Sequence, residues 1–396
     1  MKKTLAIIGG GAASIMLALK LDATKYSVTI YEKNRTLGRK FLVAGDGGLN
    51  LTHASDIELM IKQYDQSVFL KSALLSFSNF DLRNTLQSMG IETFIGSSNR
   101  VFPAKSIKPI TVLNALVTEL KQKNVSFKFE HQWTGWDANM KLLFKNGGVV
   151  SADYTAFAMG GASWKVTGSD GIWKNIFENK GIETKPFLAA NCAFGVAWDK
   201  NFIKNHAGKP LKNISIRIGK YISKGELVIS QFGIEGNAIY AISKQIQQAL
   251  LKKGKAQIYI NLKPMLSIEQ VNEKLNLSKG KNRTYVLKNH LKLSATQIQL
   301  LKMNLSKEDY LNDLKLTHAI SNFPISITQS ALVDEAISTI GGIALDEVNA
   351  FFELKKIPNS FCLGEMLNWN APTGGYLLQA CFSMGAFLAQ HLNDLE

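Results

Sequence analysis

The sequence predicts an α/β protein with a parallel sheet, interrupted by an inserted β-strand and helical domain, and three observations carry that expectation. Strand-like and helix-like segments alternate through residues 1–190 and again through residues 331–396. Residues 191–330 have a different texture, with half-buried strand patterns followed by a polar, lysine-rich helical tract. A glycine turn joins the first strand to the first helix, which is the opening of a βαβ unit.

The elements follow in order. Thr4–Ile8 is short and wholly apolar, as a buried parallel strand is. After Gly9-Gly10-Gly11, the segment Ala12–Leu21 holds good helix formers and no breaker, and Ser27–Tyr31 is a β-branched second strand. Gly38–Leu51 reads as a glycine-rich loop, Asp56–Met89 as one amphipathic helical stretch, and Val112–Lys123 as a helix. Val125–Phe129 alternates like a strand, Lys141–Val150 reads as a hairpin around Asn146-Gly147-Gly148, and Tyr154–Met159 is an apolar strand ending at Gly160-Gly161. In the insert, Ile214–Ile218, Glu226–Ser230 and Gln257–Asn261 read as antiparallel strands, and Ser267–Ala319 as helical. The first pattern returns near Ala336, with a strand at Phe361–Leu363, a glycine-rich loop and a helix over Tyr376–Leu392.

With 396 residues, 46% hydrophobic and 19% charged, the chain can bury a real core and divides into more than one domain. Its formal net charge is +15. Such an excess attracts anionic ligands, acidic membranes and nucleic acid alike; a solvated basic face is the plainer reading of the lysine-rich stretch Leu251–Lys315, and an RNA-contacting face the sharper one. Cys192, Cys362 and Cys381 are widely spaced and odd in number, which argues against a disulfide framework, a zinc site or a redox dithiol. No metal-ligand cluster and no Ser-His-Asp pattern stands out. The apolar N-terminus is broken by glycines and then by Lys20 and Asp22, too soon for a membrane span, so a cytoplasmic protein is expected.

Gly9-Gly10-Gly11-Ala12-Ala13-Ser14 nearly fits G-x-G-x-x-G. The first glycine permits the tight turn, the second lets a pyrophosphate approach the backbone, and the helix N-terminus offers N–H groups and a positive dipole end to it. Ser14 takes the third position, so slightly looser helix–strand packing is expected there. The second strand ends in Glu32, 21 residues after Gly11, where an acid accepts hydrogen bonds from ribose hydroxyls and repels the 2′-phosphate of NADP. The C-terminal segment favours FAD over NAD. Phe361–Glu365 reads as a strand ending in glycine and an acid suited to ribityl hydroxyls, and Pro372-Thr373-Gly374-Gly375-Tyr376 opens the last helix, whose N-terminus suits the pyrimidine edge of a reduced flavin. The fold class is therefore a Rossmann-like, glutathione-reductase-like FAD-binding domain carrying an insert.

Gly9–Ala13, Gly38-Arg39-Lys40, Gly45–Thr52, Val101-Phe102-Pro103, Met159–Ser163 with Thr167-Gly168, and Gly364–Gln379 together resemble the BaiN/RdsA-type family of NAD(P)/FAD-dependent oxidoreductases, which includes aminoacetone-oxidase-like flavoproteins. The resemblance implies an FAD-dependent oxidoreductase. It places the pyrophosphate at Gly9, Gly11, Ala12 and Ala13, the adenosine at Glu32 and Lys33, and adenine against the backbone of Trp133. Arg39, Lys40, Gly48, Asn50 and Thr52 would lie along the flavin, Gly160 would border it, and Gly364, Glu365, Gly374, Gly375 and Tyr376 would surround the ribityl chain and ring. This chain departs from the family in Leu49, which stands where the pattern has cysteine, in the missing arginine of that loop, in Ser14, in Ser163-Trp164-Lys165 and in the tail Met366–Trp369. Those departures mark a divergent subgroup with its own substrate.

Flavin carries the hydride or electron chemistry, so the protein need supply only positioning and a proton. His53, Arg100, Lys105 and Lys165 are the candidates near the motifs, and none is assigned a catalytic role. No second G-x-G-x-x-G follows Gly160-Gly161, which leaves NADH or NADPH as a transient visitor rather than a resident. Turnover of a small organic substrate is the leading expectation. A flavoprotein acting on RNA through the basic insert, and a non-catalytic FAD-binding protein, are the alternatives; no aromatic-rich base-stacking motif stands out for the former.

Overall fold

The computed structural model describes residues 1–43, 48–96, 98–276, 280 and 282–395. The chain forms two compact units, Met1–Ala189 with Val333–Glu396, and Ala190–Leu332.

The first unit is built on a five-stranded parallel sheet in the order Ser360–Cys362, Tyr154–Phe157, Lys3–Ile8, Tyr26–Tyr31, Ser126–Lys128. Leu5, Ile7, Ile30, Ala156 and Phe157 of the three central strands are essentially inaccessible, as a sheet covered by helices demands, while Tyr26–Tyr31 turns Ser27 and Thr29 to its less buried face. The first helix, Ala12–Lys20, packs on the last, Tyr376–Asp394. Ser14 is fully buried, and close approach is provided from the other helix: a Cβ on Gly385 would stand 2.3 Å from the Ala13 carbonyl oxygen and 2.8 Å from the Leu17 nitrogen.

Two small antiparallel sheets flank this core. One joins Thr52–His53, Arg100–Pro103 and Thr93–Ile95; the other joins Trp133–Trp136, Leu142–Phe144 and Val149–Val150. The loop expected over Gly38–Leu51 begins instead with a short helix, Arg39–Val43, while Gly45, Asp46 and Gly47 lie outside the described residues. The single stretch expected over Asp56–Met89 is three helices, Ile57–Ile61, Ser67–Ser76 and Asn79–Ser88. Their starts carry legible chemistry: the Asp56 carboxylate caps Glu58 and Leu59, and Ser78 with Asp81 forms a capping box.

The second unit holds a seven-stranded sheet, Phe323–Ile327, Ala256–Asn261, Pro210–Ile218, Tyr221–Ile229, Gly233–Glu235, Phe194–Gly195, Gln329–Ser330, antiparallel at every described pairing. One side of its long strands is core: Ile214, Ile216, Leu227, Ile258, Ile260 and Ile325 are buried. Helices occupy much of Ile268–Ser321. No helix among the described residues is long and apolar enough to cross a membrane.

Candidate functional site

The first strand ends in Gly9, whose φ of +100° is the left-handed region glycine favours; a Cβ there would sit 2.6 Å from the Ala158 carbonyl oxygen. At Gly11 the surroundings are open, with no heavy atom within 4 Å of a Cβ placed there. Among the described residues, no side chain caps the helix that Gly11 begins. The turn therefore presents bare N–H groups and a positive dipole end to free space, as anion binding requires.

The carboxylate of Glu32 holds this turn in place. Its Oε2 accepts from the Gly10 nitrogen at 2.8 Å, and its Oε1 accepts from both the nitrogen and Nδ2 of Asn34, each at 2.8 Å. Three of its four acceptor positions are thus filled from within the protein, which leaves one on Oε2 rather than the pair that two ribose hydroxyls would take. Asn34, which the sequence did not single out, also accepts from Arg39 Nη1 at 2.8 Å and donates to the Thr167 carbonyl. Lys33 pairs with Asp170 at 2.7 Å.

Further along, Lys40 reaches three groups from distant parts of the chain. Its Nζ lies 2.8 Å from Glu365 Oε2, 2.8 Å from Ser163 Oγ and 3.4 Å from Ser169 Oγ. Glu365 Oε1 accepts from the Thr339 nitrogen at 3.0 Å. Lys40 and Glu365 were named from sequence; Ser169 and Thr339 were not, because nothing local marks them. Against Glu365 lies Cys381, whose thiol burial pushes up to about 12, with the Glu365 charge acting the same way; it is a neutral thiol, not a nucleophile.

The C-terminal turn closes on the glycine-rich loop. Gly374 and Gly375 have φ of +120° and +90°, and a Cβ on Gly375 would lie 2.6 Å from Thr52 backbone atoms. The Asn50 amide bridges the two segments, donating to the Thr52 carbonyl at 2.9 Å and accepting from the Gly375 nitrogen at 3.2 Å. The Thr52 hydroxyl is buried without a partner among the described residues. Gly375 is the N-cap of the 19-residue last helix and has no side chain of its own to cap it. Gly364 faces Ala13, a Cβ there lying 3.4 Å from that of Ala13. The N-terminal and C-terminal motifs, more than 350 residues apart in sequence, therefore meet.

Tyr376 stacks on His53 with ring centroids 5.0 Å apart, and Tyr64 donates to the Tyr376 carbonyl at 2.7 Å. Burial raises the Tyr376 phenol above its ordinary range, against smaller opposing effects from Ser55 and Arg100. His53 is held neutral: burial lowers its pKa, with the Arg100 charge adding to this, and Nδ1 lies 2.7 Å from Ser55 Oγ and 3.2 Å from the Ser55 nitrogen. Arg100 pairs with His53 across the small sheet, and its Nε lies 3.8 Å from a Cβ built on Gly374.

Other named residues lie apart from this cluster or face elsewhere. The Trp133 side chain is buried among Trp136, Phe157 and Phe177, so only its backbone is available to a ligand. Gly160 gives its carbonyl to Trp173 Nε1 at 3.0 Å. Gly48 is exposed, Leu49 is buried, and Lys105 and Lys165 are exposed.

A sequence profile of the HI0933-like protein Rossmann domain matches residues 3–391. The chain belongs to the HI0933-like family. Its fold is Rossmann-like. Among curated members similar to it, a 3-dehydro-bile acid delta(4,6)-reductase of Clostridium scindens is 23% identical over 96% of each chain. A ribosomal RNA dihydrouridine synthase of Escherichia coli is 24% identical, over 98% of this chain and 97% of that one. Among solved structures, a 3-ketosteroid delta1-dehydrogenase from Sterolibacterium denitrificans overlaps 99% of this HI0933-like chain and 100% of its own, at 10% identity and a TM-score of 0.49.

Proposed function

We propose that this HI0933-like protein uses reduced FAD to add hydrogen across a carbon–carbon double bond conjugated to a carbonyl group, on a small organic substrate. The observation that carries the reading is that two helix N-termini, at Gly11 and at Gly375, are set in one unit by the packing of the helices they begin, with the Thr52 hydroxyl, unpartnered among the described residues, beside the second. The names of the two relatives point to the same chemistry. A delta(4,6)-reductase acting on a 3-dehydro compound, and a synthase that makes dihydrouridine from uridine, both saturate a double bond next to a carbonyl.

These residues fit the cofactor. Gly9, Gly11, Ala12 and Ala13 would hold the diphosphate, and Glu32, Lys33 and the Trp133 backbone the adenosine. Arg39, Lys40, Gly48, Asn50, Thr52 and Gly160 would lie along the flavin, and Gly364, Glu365, Gly374, Gly375 and Tyr376 would enclose its ribityl and ring end. FAD supplies the hydride, with NADH or NADPH as the proposed transient reductant. The protein supplies the rest. Tyr376 keeps a proton on Oη at neutral pH for delivery to the substrate carbon. Arg100 faces the charge that develops on the carbonyl oxygen. The cytoplasm, where a reduced nicotinamide is at hand, is the proposed location.

Anaerobic reduction by NADH or NADPH, followed by mixing with cyclic enones and with oxygen, tests the reading. Faster reoxidation by an enone than by oxygen supports it. Reoxidation by oxygen alone across the panel refutes the double-bond chemistry and leaves an oxidase.

A second reading places the double bond in an RNA base. It is favoured by charge: residues 190–332 hold 21 of the 46 Lys and Arg but 8 of the 31 Asp and Glu, a net +13 of the chain's +15.

A further inference from the structure

The charge excess of the second unit coincides with an open sheet face. Along Pro210–Ile218 the isoleucines at 214 and 216 point into the core, so the alternation turns Ser215 and Arg217 outward. Register then lines up their neighbours on the same side. Arg217 stands opposite Tyr259 on one flank and Ile222 on the other, Ser215 opposite Lys224, and Tyr259 opposite Pro324 at the sheet edge. Pro324, Ile222 and Lys224 are exposed, and Arg217 and Tyr259 are half-exposed. The Arg217 guanidinium lies 4.6 Å over the Tyr259 ring and is steadied by Asn322 at 2.9 Å. At the hairpin tip, Lys220 lies in the turn between Ile218 and Tyr221 and is exposed. The three strands Phe323–Ile327, Ala256–Asn261 and Pro210–Ile218 contain no acidic residue; Glu226 and Glu235 lie on the two strands beyond.

We infer that this face docks single-stranded RNA, an inference that rests on the RNA reading of the substrate. The sequence displayed no base-stacking motif because Arg217 and Tyr259 are 42 residues apart, and only strand pairing brings them together. An aromatic ring under a guanidinium plane, with Lys224 on the same side and Lys220 at the hairpin tip, suits a strand that offers both bases and phosphates. A small anion would want converging cations, and here they are spread along the strands. An acidic protein or an anionic membrane would use the lysines and leave the stacked ring idle.

The test titrates the FAD-loaded full chain against a labelled single-stranded RNA of about 12 nucleotides, between about 50 and 200 mM salt. Replacing Lys220→Ala with Lys224→Ala should lower the slope of log affinity against log salt by about 1.4, the share of two phosphate contacts on a single strand. Tyr259→Leu should weaken binding about tenfold, and Tyr259→Phe should preserve it. Lys141→Ala with Lys145→Ala, the same charge removed from the first unit, should change neither quantity. The inference is overturned if the Lys220 and Lys224 variant binds like the parent, if the Lys141 and Lys145 variant weakens binding as much, or if polyglutamate or phosphatidylserine vesicles bind as tightly as RNA. Flavin absorbance and reoxidation by a free enone, measured on the same variants, report the redox site separately. Their retention alongside lost RNA affinity isolates the docking face, and their loss would count against a docking role.

Discussion

Removing Lys40 leaves a charge stranded, and the size of the penalty follows from the geometry. Glu365 is 6% exposed at its side chain and Lys40 is 27% exposed, with 2.8 Å between their charged atoms. Breaking a fully buried pair by deleting one partner costs about 3–5 kcal/mol, because the survivor is neither solvated nor neutralised. Lys40 keeps some contact with water, and Glu365 keeps the Thr339 nitrogen, so the expected cost of Lys40→Met is lower, about 2–3 kcal/mol. Adding Glu365→Gln should return about half of that loss, since no ion then remains to be solvated. Denaturant unfolding followed by tryptophan fluorescence is the assay. Five of the six tryptophans, all but Trp198, lie in the first unit and report on it. A double variant as unstable as the sum of the two single ones would refute the reasoning, because it would leave the pair without coupling.

Three further outcomes are expected. Gly9→Ala forces a Cβ into the Ala158 carbonyl at φ +100° and should cost at least about 2 kcal/mol, whereas Gly11→Ala meets open space and should leave apo stability unchanged while weakening FAD binding; equal thermal shifts for the two would contradict this. Gly375→Ala drives a Cβ into the Thr52 backbone and should lower the FAD content of purified protein, measured by absorbance, more than it lowers stability. His53 has its pKa lowered in the fold by burial, so protonation favours unfolding. Its contribution is fully present above the unfolded value of about 6.5 and is lost as pH falls toward the lowered folded value; His53→Phe should therefore flatten the stability profile between about pH 7 and pH 5, and an unchanged profile would exclude His53 from it.

The parallel sheet was legible because Thr4–Ile8 and Tyr154–Met159 are apolar runs that each end in glycine, with the β-branched strand of the first βαβ unit between them in sequence. The split of Asp56–Met89 into three helices was less so, although Asp56 and Ser78-x-x-Asp81 carry the capping signals. Hydrophobic pattern alone does not say where a helix ends. Within the site, Glu32, Lys40 and Glu365 were visible as motif residues. Their partners Asn34, Ser169 and Thr339 were not, since each is chosen by a contact between remote segments rather than by spacing. The same reason hid the Tyr259–Arg217 stack. The close approach of the first and last helices was not legible, because the glycine that permits it, Gly385, is chosen by a contact between segments more than 370 residues apart.

The central claim is that two turns from opposite ends of the chain grip one long cofactor. Titrating cofactor-stripped protein with FAD, FMN and riboflavin, followed by flavin fluorescence quenching, tests it most directly. The account predicts stoichiometric FAD binding far tighter than FMN or riboflavin, since only FAD reaches both the open turn at Gly11 and the turn at Gly375. Equal affinity for all three, or no uptake by the folded protein, would contradict it.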